Sequence, residues 1–207
     1  DSDDSVLVVE QQKGCITRID PDGSIIETFG ETGSLNGQFN LPWGITVDTE
    51  HNIYVADWRN DRIQKFDNSG RFLMAIGESG HNDGQLYRPS SVAVDPVGTI
   101  YVADWGNERI QIFDTDGQLL NIMYGEATLS KWALEWLEVN KDEYSARKNS
   151  NLVIKDLPSH LRSPYHVSSQ TEHLFWGPVS VKLDKENRFY VTEHSRHRLQ
   201  IFQRSKT

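Results

Sequence analysis

The chain carries a single cysteine, Cys15, among 207 residues. One thiol cannot close an internal disulfide, so the fold must rest on burial and backbone pairing. No stretch approaches the roughly 20 consecutive apolar residues of a membrane-spanning helix. That predicts a soluble chain with no membrane insertion. Asn-x-Ser/Thr acceptor sites are absent, which disfavours a secreted glycoprotein. Positive charge is scarce: 21 Lys and Arg stand against 30 Asp and Glu, a formal net charge of −9. Such a surface repels phosphate backbones and disfavours nucleic acid as a partner. The densest basic stretch, Arg196, His197, Arg198, Arg204 and Lys206, reads as a solvated strand face. The opening Asp1-Ser2-Asp3-Asp4 has neither Met nor a basic-then-apolar leader, so a removed leader or a fragment is expected and the compartment stays open. Nucleophile-elbow, P-loop and His-Glu-x-x-His patterns are missing as well.

What the chain does have is repetition. Ile53-Tyr54-Val55-Ala56-Asp57-Trp58-Arg59-Asn60-Asp61-Arg62-Ile63-Gln64-Lys65-Phe66 returns 47 residues later, from Ile100 to Phe113. A degraded copy lies 47 residues earlier, from Val6 to Ile19. A fourth, Phe189 to Phe202, comes 89 residues after the third, so 42 residues are extra there. Each unit reads as short period-two strands between turns such as Glu50-His51-Asn52 and Asn68-Ser69-Gly70. Four antiparallel strands per unit make one propeller blade. The count is three, four, four and three strands: the first unit lacks its opening strand and the last its closing one. The units fall at about 5–39, 40–86, 87–125 and 175–204, with an insertion at 126–174, all within one propeller segment. The Gly-rich stretches Gly30 to Phe39 and Gly77 to Leu86 recur with the blades and precede no helix. They read as crossovers in which glycine supplies positive φ, not as phosphate cradles.

The Asp-Trp-Arg-Asn-Asp-Arg-Ile-Gln-Lys-Phe run and the Gly-x-x-Gly-x-x-x-Gly-Gln-Phe…Pro-Trp-Gly linker resemble the NHL-repeat family, with bacterial-type members nearest in pattern. The resemblance implies an all-β NHL propeller, usually six-bladed, of which about four blades are present here. It implies truncation, since an open arc exposes sheet edges. Some NHL proteins, including the TRIM-NHL ubiquitin ligases, bind RNA or protein. Related propellers include metal-dependent lyases and lactonases.

The insertion has helical spacing from Thr128 to about Arg147, with Leu129, Trp132, Ala133, Trp136, Leu137 and Val139 three and four apart. Thr128 or Ser130 is the expected cap, and Asn149-Ser150-Asn151 the stop. Leu152-Val153-Ile154 reads as a short strand and Pro158 to Thr171 as loop. Packing over the blades is the expectation for Trp132 and Trp136, because an exposed Trp pair is costly. The rival reading makes them a lid or docking knob, since insertions in repeat proteins collect on the binding face.

Asp57 and Arg62, Asp104 and Arg109, and Glu193 and Arg198 recur five apart at each hairpin mouth. Recurrence marks these pairs as structural. In the first unit Glu10 stays but Cys15 replaces the arginine, with nothing nearby basic enough to activate the thiol. The leading functional expectation is a non-catalytic scaffold without cofactor, binding a protein partner or other ligand. Trp58, Arg59, Trp105 and Arg109 on the hairpin rim are its contacts, with Trp132 and Trp136 as further contacts. Inter-blade packing is the competing role for Trp58 and Trp105. The alternative is a metal-dependent lyase or lactonase-like enzyme with zinc or calcium held by His194, His197 and His166. RNA binding stands third.

Overall fold

The computed structural model describes residues 1, 4–126, 129–150, 157–186 and 188–203. Four antiparallel sheets follow one another along the chain. The first has three strands: β1 (Val6–Glu10), β2 (Cys15–Ile19) and β3 (Ile25–Phe29). Two short strands, β4 (Glu31–Thr32) and β5 (Gln38–Phe39), pair in parallel within the crossover. The second sheet comprises β6 (Pro42–Val47), β7 (Ile53–Asp57), β8 (Arg62–Phe66) and β9 (Phe72–Ile76). The third repeats it with β10 (Pro89–Val94), β11 (Ile100–Asp104), β12 (Arg109–Phe113) and β13 (Leu119–Met123). The fourth has β14 (Pro178–Leu183), β15 (Arg188–Glu193) and β16 (Arg198–Gln203). These are blades 1 to 4, each ordered by sequence, and the strand count of three, four, four and three is the one the repeat predicts.

The core lies between the blades. Ile53, Val55 and Phe66 of blade 2 pack on Ile16 of blade 1. Their counterparts Ile100, Val102 and Phe113 of blade 3 pack on Tyr54, Ala56 and Ile63 of blade 2. Phe189 and Val191 of blade 4 pack in turn on Tyr101, Ala103 and Ile110. Period-two alternation thus gives each interior blade two apolar faces, one for each neighbour. One crossover side chain, Phe39, Leu86 or Phe175, is fully buried at each junction. Crossover glycines supply the left-handed turns, with φ of 83° at Gly30 and Gly37 and 81° and 80° at Gly77 and Gly84.

The insertion departs from the expected single helix. Ser130 caps α1 (Lys131–Val139), accepting from the Ala133 amide at 3.2 Å. Asn140 then leaves helical geometry and α2 (Lys141–Asn149) begins. Asn140 closes α1 by donating from its amide and its side chain to the Trp136 carbonyl, at 3.0 and 2.8 Å. Pro158 to Thr171 is not loop throughout. It holds a 3₁₀ turn and α3 (Pro164–Gln170), started by Ser163 as cap and Pro164 in the first turn, a combination well suited to nucleation. Thr128, Leu152 to Ile154, Arg204 and Lys206 lie outside the described residues. The expected packing of the Trp pair does not occur: Trp132 is 81% and Trp136 56% exposed, and Leu137 is the buried residue of α1. The apolar residues form two adjacent stripes, and the helix turns the Leu129/Ala133/Leu137 side inward. Among the described residues no helix is long and apolar enough to cross a membrane.

Near the axis, inner strands approach closely. A Cβ on Gly44 would sit 2.7 Å from both the Ser90 carbonyl oxygen and Ser91 Cα. Backbone cannot yield as a flexible side chain can. Gly44→Val is therefore expected to lower stability by about 1–3 kcal/mol, read as a drop in thermal midpoint. An unchanged melt would show that the inner strands can separate.

Candidate functional site

The rim carrying the hairpins between the second and third strands is built, in blades 2, 3 and 4, on a buried carboxylate. Asp57 is fully buried and accepts four bonds: from the Asn40 amide (2.7 Å), Asn60 Nδ2 (2.8 Å), Arg62 Nε (3.0 Å) and Gln64 Nε2 (3.1 Å). Asp104 repeats the set with the Tyr87 amide, Asn107, Arg109 and Gln111, at 2.8 to 2.9 Å. Glu193 does so with the Trp176 amide, Arg198 and Gln200. The arginines reach further, to crossover carbonyls: Arg62 to Leu35 and Gln38, Arg109 to Asn82 and Gln85, Arg198 to Leu174. Burial pushes the Asp57 and Asp104 carboxyls upward, opposed by these donors. Each pair thus sits in a structural hub. Arg109 is buried within its hub rather than exposed on the rim, with Nε on Asp104, Nη2 on the Asn82 and Gln85 carbonyls and Nη1 3.8 Å from Asp83. The Asn and Gln members were overlooked at the sequence level, although Asn60/Asn107 and Gln64/Gln111/Gln200 recur as faithfully as the arginines. In blade 1, Lys13 and Thr17 serve Glu10, and burial raises the Cys15 thiol.

Around the hubs the rim is aromatic. Trp43, Trp58 and Trp105 form a ladder, with ring centroids 5.8 and 6.4 Å apart. Trp58 and Trp105 are half-buried in it, while Trp43, which the repeat did not single out, is exposed. The guanidinium of Arg88 lies 5.0 Å from the Trp58 ring centre and that of Arg59 5.7 Å. Further round, Trp176 meets Tyr165 of α3 at 5.5 Å and Arg196 at 5.6 Å. Arg196 also donates to the carbonyls of Ser168 and Thr171, and Arg147 of α2 pairs with Glu172 at 2.6 Å. The insertion therefore docks on this rim through α3. A cleft of about 260 Å³ opens beside it, lined by His81, Asn107, Glu108, Arg162 and Val167 among others.

The metal candidates do not converge. His194 and His197 have ring centres 6.3 Å apart, and His166 sits in the first turn of α3, bonded to Ser163. Among the described residues, no three His, Cys, Asp or Glu side chains gather at ligating distance.

A propeller arc with a carboxylate hub in the hairpins of blades 2, 3 and 4 is what the fold and site define. The NHL repeat family model matches residues 39–66, 86–113 and 175–202. The chain carries NHL repeats, and its propeller is of the NHL type. No curated protein matches the sequence. Among solved structures, the chain is similar to a catalytically inactive virginiamycin B lyase from Staphylococcus aureus, solved with quinupristin: TM-score 0.54, 15% identity, covering 100% of this chain and 54% of that one. It is also similar to a streptogramin B lyase, with TM-score 0.53, 14% identity, and 98% and 52% coverage. The chain spans about half the length of these lyases, and the likeness is one of fold.

Asp61 and Glu108 hold left-handed positions after the rim turns, with φ of 53° and 56°. Each accepts a bond from the next blade's crossover, Asp61 from the Arg88 amide and Glu108 from the Gly177 amide. Glu108 is buried near Glu193. Burial first, and the Glu193 charge after it, push its carboxyl up to about 7, against the pull of the Gly177 amide. The folded state then holds more protons than the unfolded state between about pH 4.5 and 7, so stability falls as pH rises through that window. The full contribution is about 3 kcal/mol. Glu108→Gln keeps an acceptor and removes the charge. Urea unfolding should find the variant more stable than the parent at pH 8 and converging with it near pH 4. Equal slopes against pH in both proteins would remove Glu108 as the source.

Proposed function

We propose that the chain is a non-catalytic binding scaffold whose hairpin rim captures a protein partner. The observation that carries this reading is the Trp43–Trp58–Trp105 ladder with Arg59 and Arg88 laid against its middle rung. Trp and Arg dominate energetic hot spots, since both bring large contact area and a polar handle to one place. The hubs beneath hold the hairpins rigid, so little ordering entropy is lost on binding. The net charge of −9 favours a partner with basic character and weighs against RNA.

A second reading, a metal-dependent lyase or lactonase-like enzyme, takes its support from the lyase folds of the solved neighbours. It requires a stoichiometric metal. Elemental analysis of the purified chain separates the two readings: zinc or calcium near one per chain, lost in His194→Ala/His197→Ala, would favour the enzyme.

For the scaffold, peptides selected from a displayed random library on the intact protein serve as probes. Trp43→Ala/Trp58→Ala should weaken the selected peptides by about 30-fold or more, equivalent to about 2 kcal/mol. Trp132→Ala/Trp136→Ala is the matched comparison for the insertion knob. Peptides that bind the Trp43/Trp58 variant as tightly as the parent would end the proposal, and a steep loss of affinity with salt for RNA would replace it.

A further inference from the structure

The repeat leaves an acceptor unmet where the insertion interrupts it. Asp61 has both carboxylate oxygens engaged: the Arg88 amide donates to Oδ1 and the Ser79 hydroxyl to Oδ2. Glu108 holds the same left-handed place one blade on, and takes only the Gly177 amide, on Oε2. Among the described residues its Oε1 has no hydrogen-bond partner and no cation pairs with it, although the side chain is buried. Arg109 turns instead to Asp104, and the charge acting on Glu108 is that of Glu193. A buried carboxyl near another carboxylate gains from an incoming cation.

Glu108 lines the cleft of about 260 Å³ between the blade 3 rim and α3. Arg162, just before α3, lines it too. Its Nε donates to the Leu157 carbonyl at 2.9 Å, and among the described residues no carboxylate pairs with its guanidinium. His81 supplies a third open group. Asn107 Nδ2 donates to the Gly80 carbonyl and to Asp104, so its Oδ1 accepts from His81 Nδ1, at 2.6 Å. The neutral ring then offers Nε2 as an acceptor. Pro164, Val167 and Leu174 give the cleft an apolar side. A guanidinium, a carboxyl and an imidazole acceptor therefore stand open beside aliphatic surface. A molecule carrying a carboxylate, an ammonium and a short apolar chain meets all of them, the carboxylate matching the guanidinium fork. The volume lies below the range of about 300–1,000 Å³ that drug-sized ligands occupy, so the ligand is small. We propose that this cleft binds a free amino acid with an aliphatic side chain, its carboxylate on Arg162, its ammonium between Glu108 and His81, and its side chain against Val167 and Leu174.

Equilibrium dialysis of the purified 207-residue chain against L-valine, L-leucine and L-methionine tests this. One equivalent of the best of them should bind, with Kd of about 0.1 mM. Glu108→Gln and Arg162→Gln should each weaken binding by about 10-fold or more, the loss of one charge-assisted contact. The ligand can also be altered without touching the fold. L-Leucinamide lacks the carboxylate and N-acetyl-L-leucine the ammonium, and each should bind about 10-fold or more below L-leucine. Leucinamide should lose nothing further in Arg162→Gln, nor N-acetylleucine in Glu108→Gln, because one member of the pair is already missing. Trp43→Ala/Trp58→Ala, on the open rim, should retain L-leucine as the parent does. If either cleft variant misfolds, the blocked ligands alone decide. No retention of any of the three amino acids at about 10 mM, equal affinity for leucine and its blocked forms, affinity unmoved in either folded cleft variant, or binding lost with Trp43 and Trp58 would each overturn the inference.

Discussion

A carboxylate sealed inside the hairpins of blades 2, 3 and 4 is the constraint from which the rest of the molecule follows. A buried charge is tolerable only when its lone pairs are met. Asp57 and Asp104 meet that demand with an amide from the crossover, an asparagine three residues on, an arginine five on and a glutamine seven on. The demand dictates the sequence spacing and ties three parts together: the crossover, the hairpin turn and the third strand. Crossovers anchored in this way bring their buried Phe or Leu to the junction, and the junction sets the distance between blades. Rim tryptophans are then presented on turns that cannot drift.

The repeat makes the architecture legible in the sequence. Recurrence at 47 residues reported the unit, the strand count within it and the missing first and last strands. It also marked Asp57/Arg62 and its copies as structural, because a group present in every unit belongs to the unit. Where recurrence ended, so did legibility. The 126–174 insertion had only local periodicity, which reported helix without showing which of two apolar stripes would turn inward. The seven residues of α3 are too short for a visible period, although Ser163-Pro164 carries the start signal. Trp43 is absent from the other units, where Ser90 and Val179 stand, so repetition gave no reason to select it. Arg109 looked like a contact because exposure is invisible in a repeat that conceals its arginine under a crossover.

The two halves of the chain use the rim differently. Blade 2 leaves it open, with Trp43 and Arg59 exposed, while α3 already lies against the rim turn of blade 3 at Trp105–Asn107. Blade 4 lends it to the insertion: Arg196 replaces the hub asparagine and instead holds the carbonyls at the end of α3, and Trp176 receives Tyr165. The departure from repeat at one residue is thus matched by a departure in what lies above it. Glu108 sits at the seam between the two regimes, bonded across to the Gly177 amide.

The hub also moves the boundary of the unit that can be exchanged between such proteins. Asp57 draws its partners from residues 40 to 64, and Arg62 and Gln64 reach back to carbonyls at Leu35 and Gln38. A cassette cut at the edges of a sheet would sever these bonds and strand a charge in the interior. A cassette running from Gly30 through Ile76 keeps them all, so recombination or grafting of blades should respect the crossover as the head of a module, with its seam after the outermost strand.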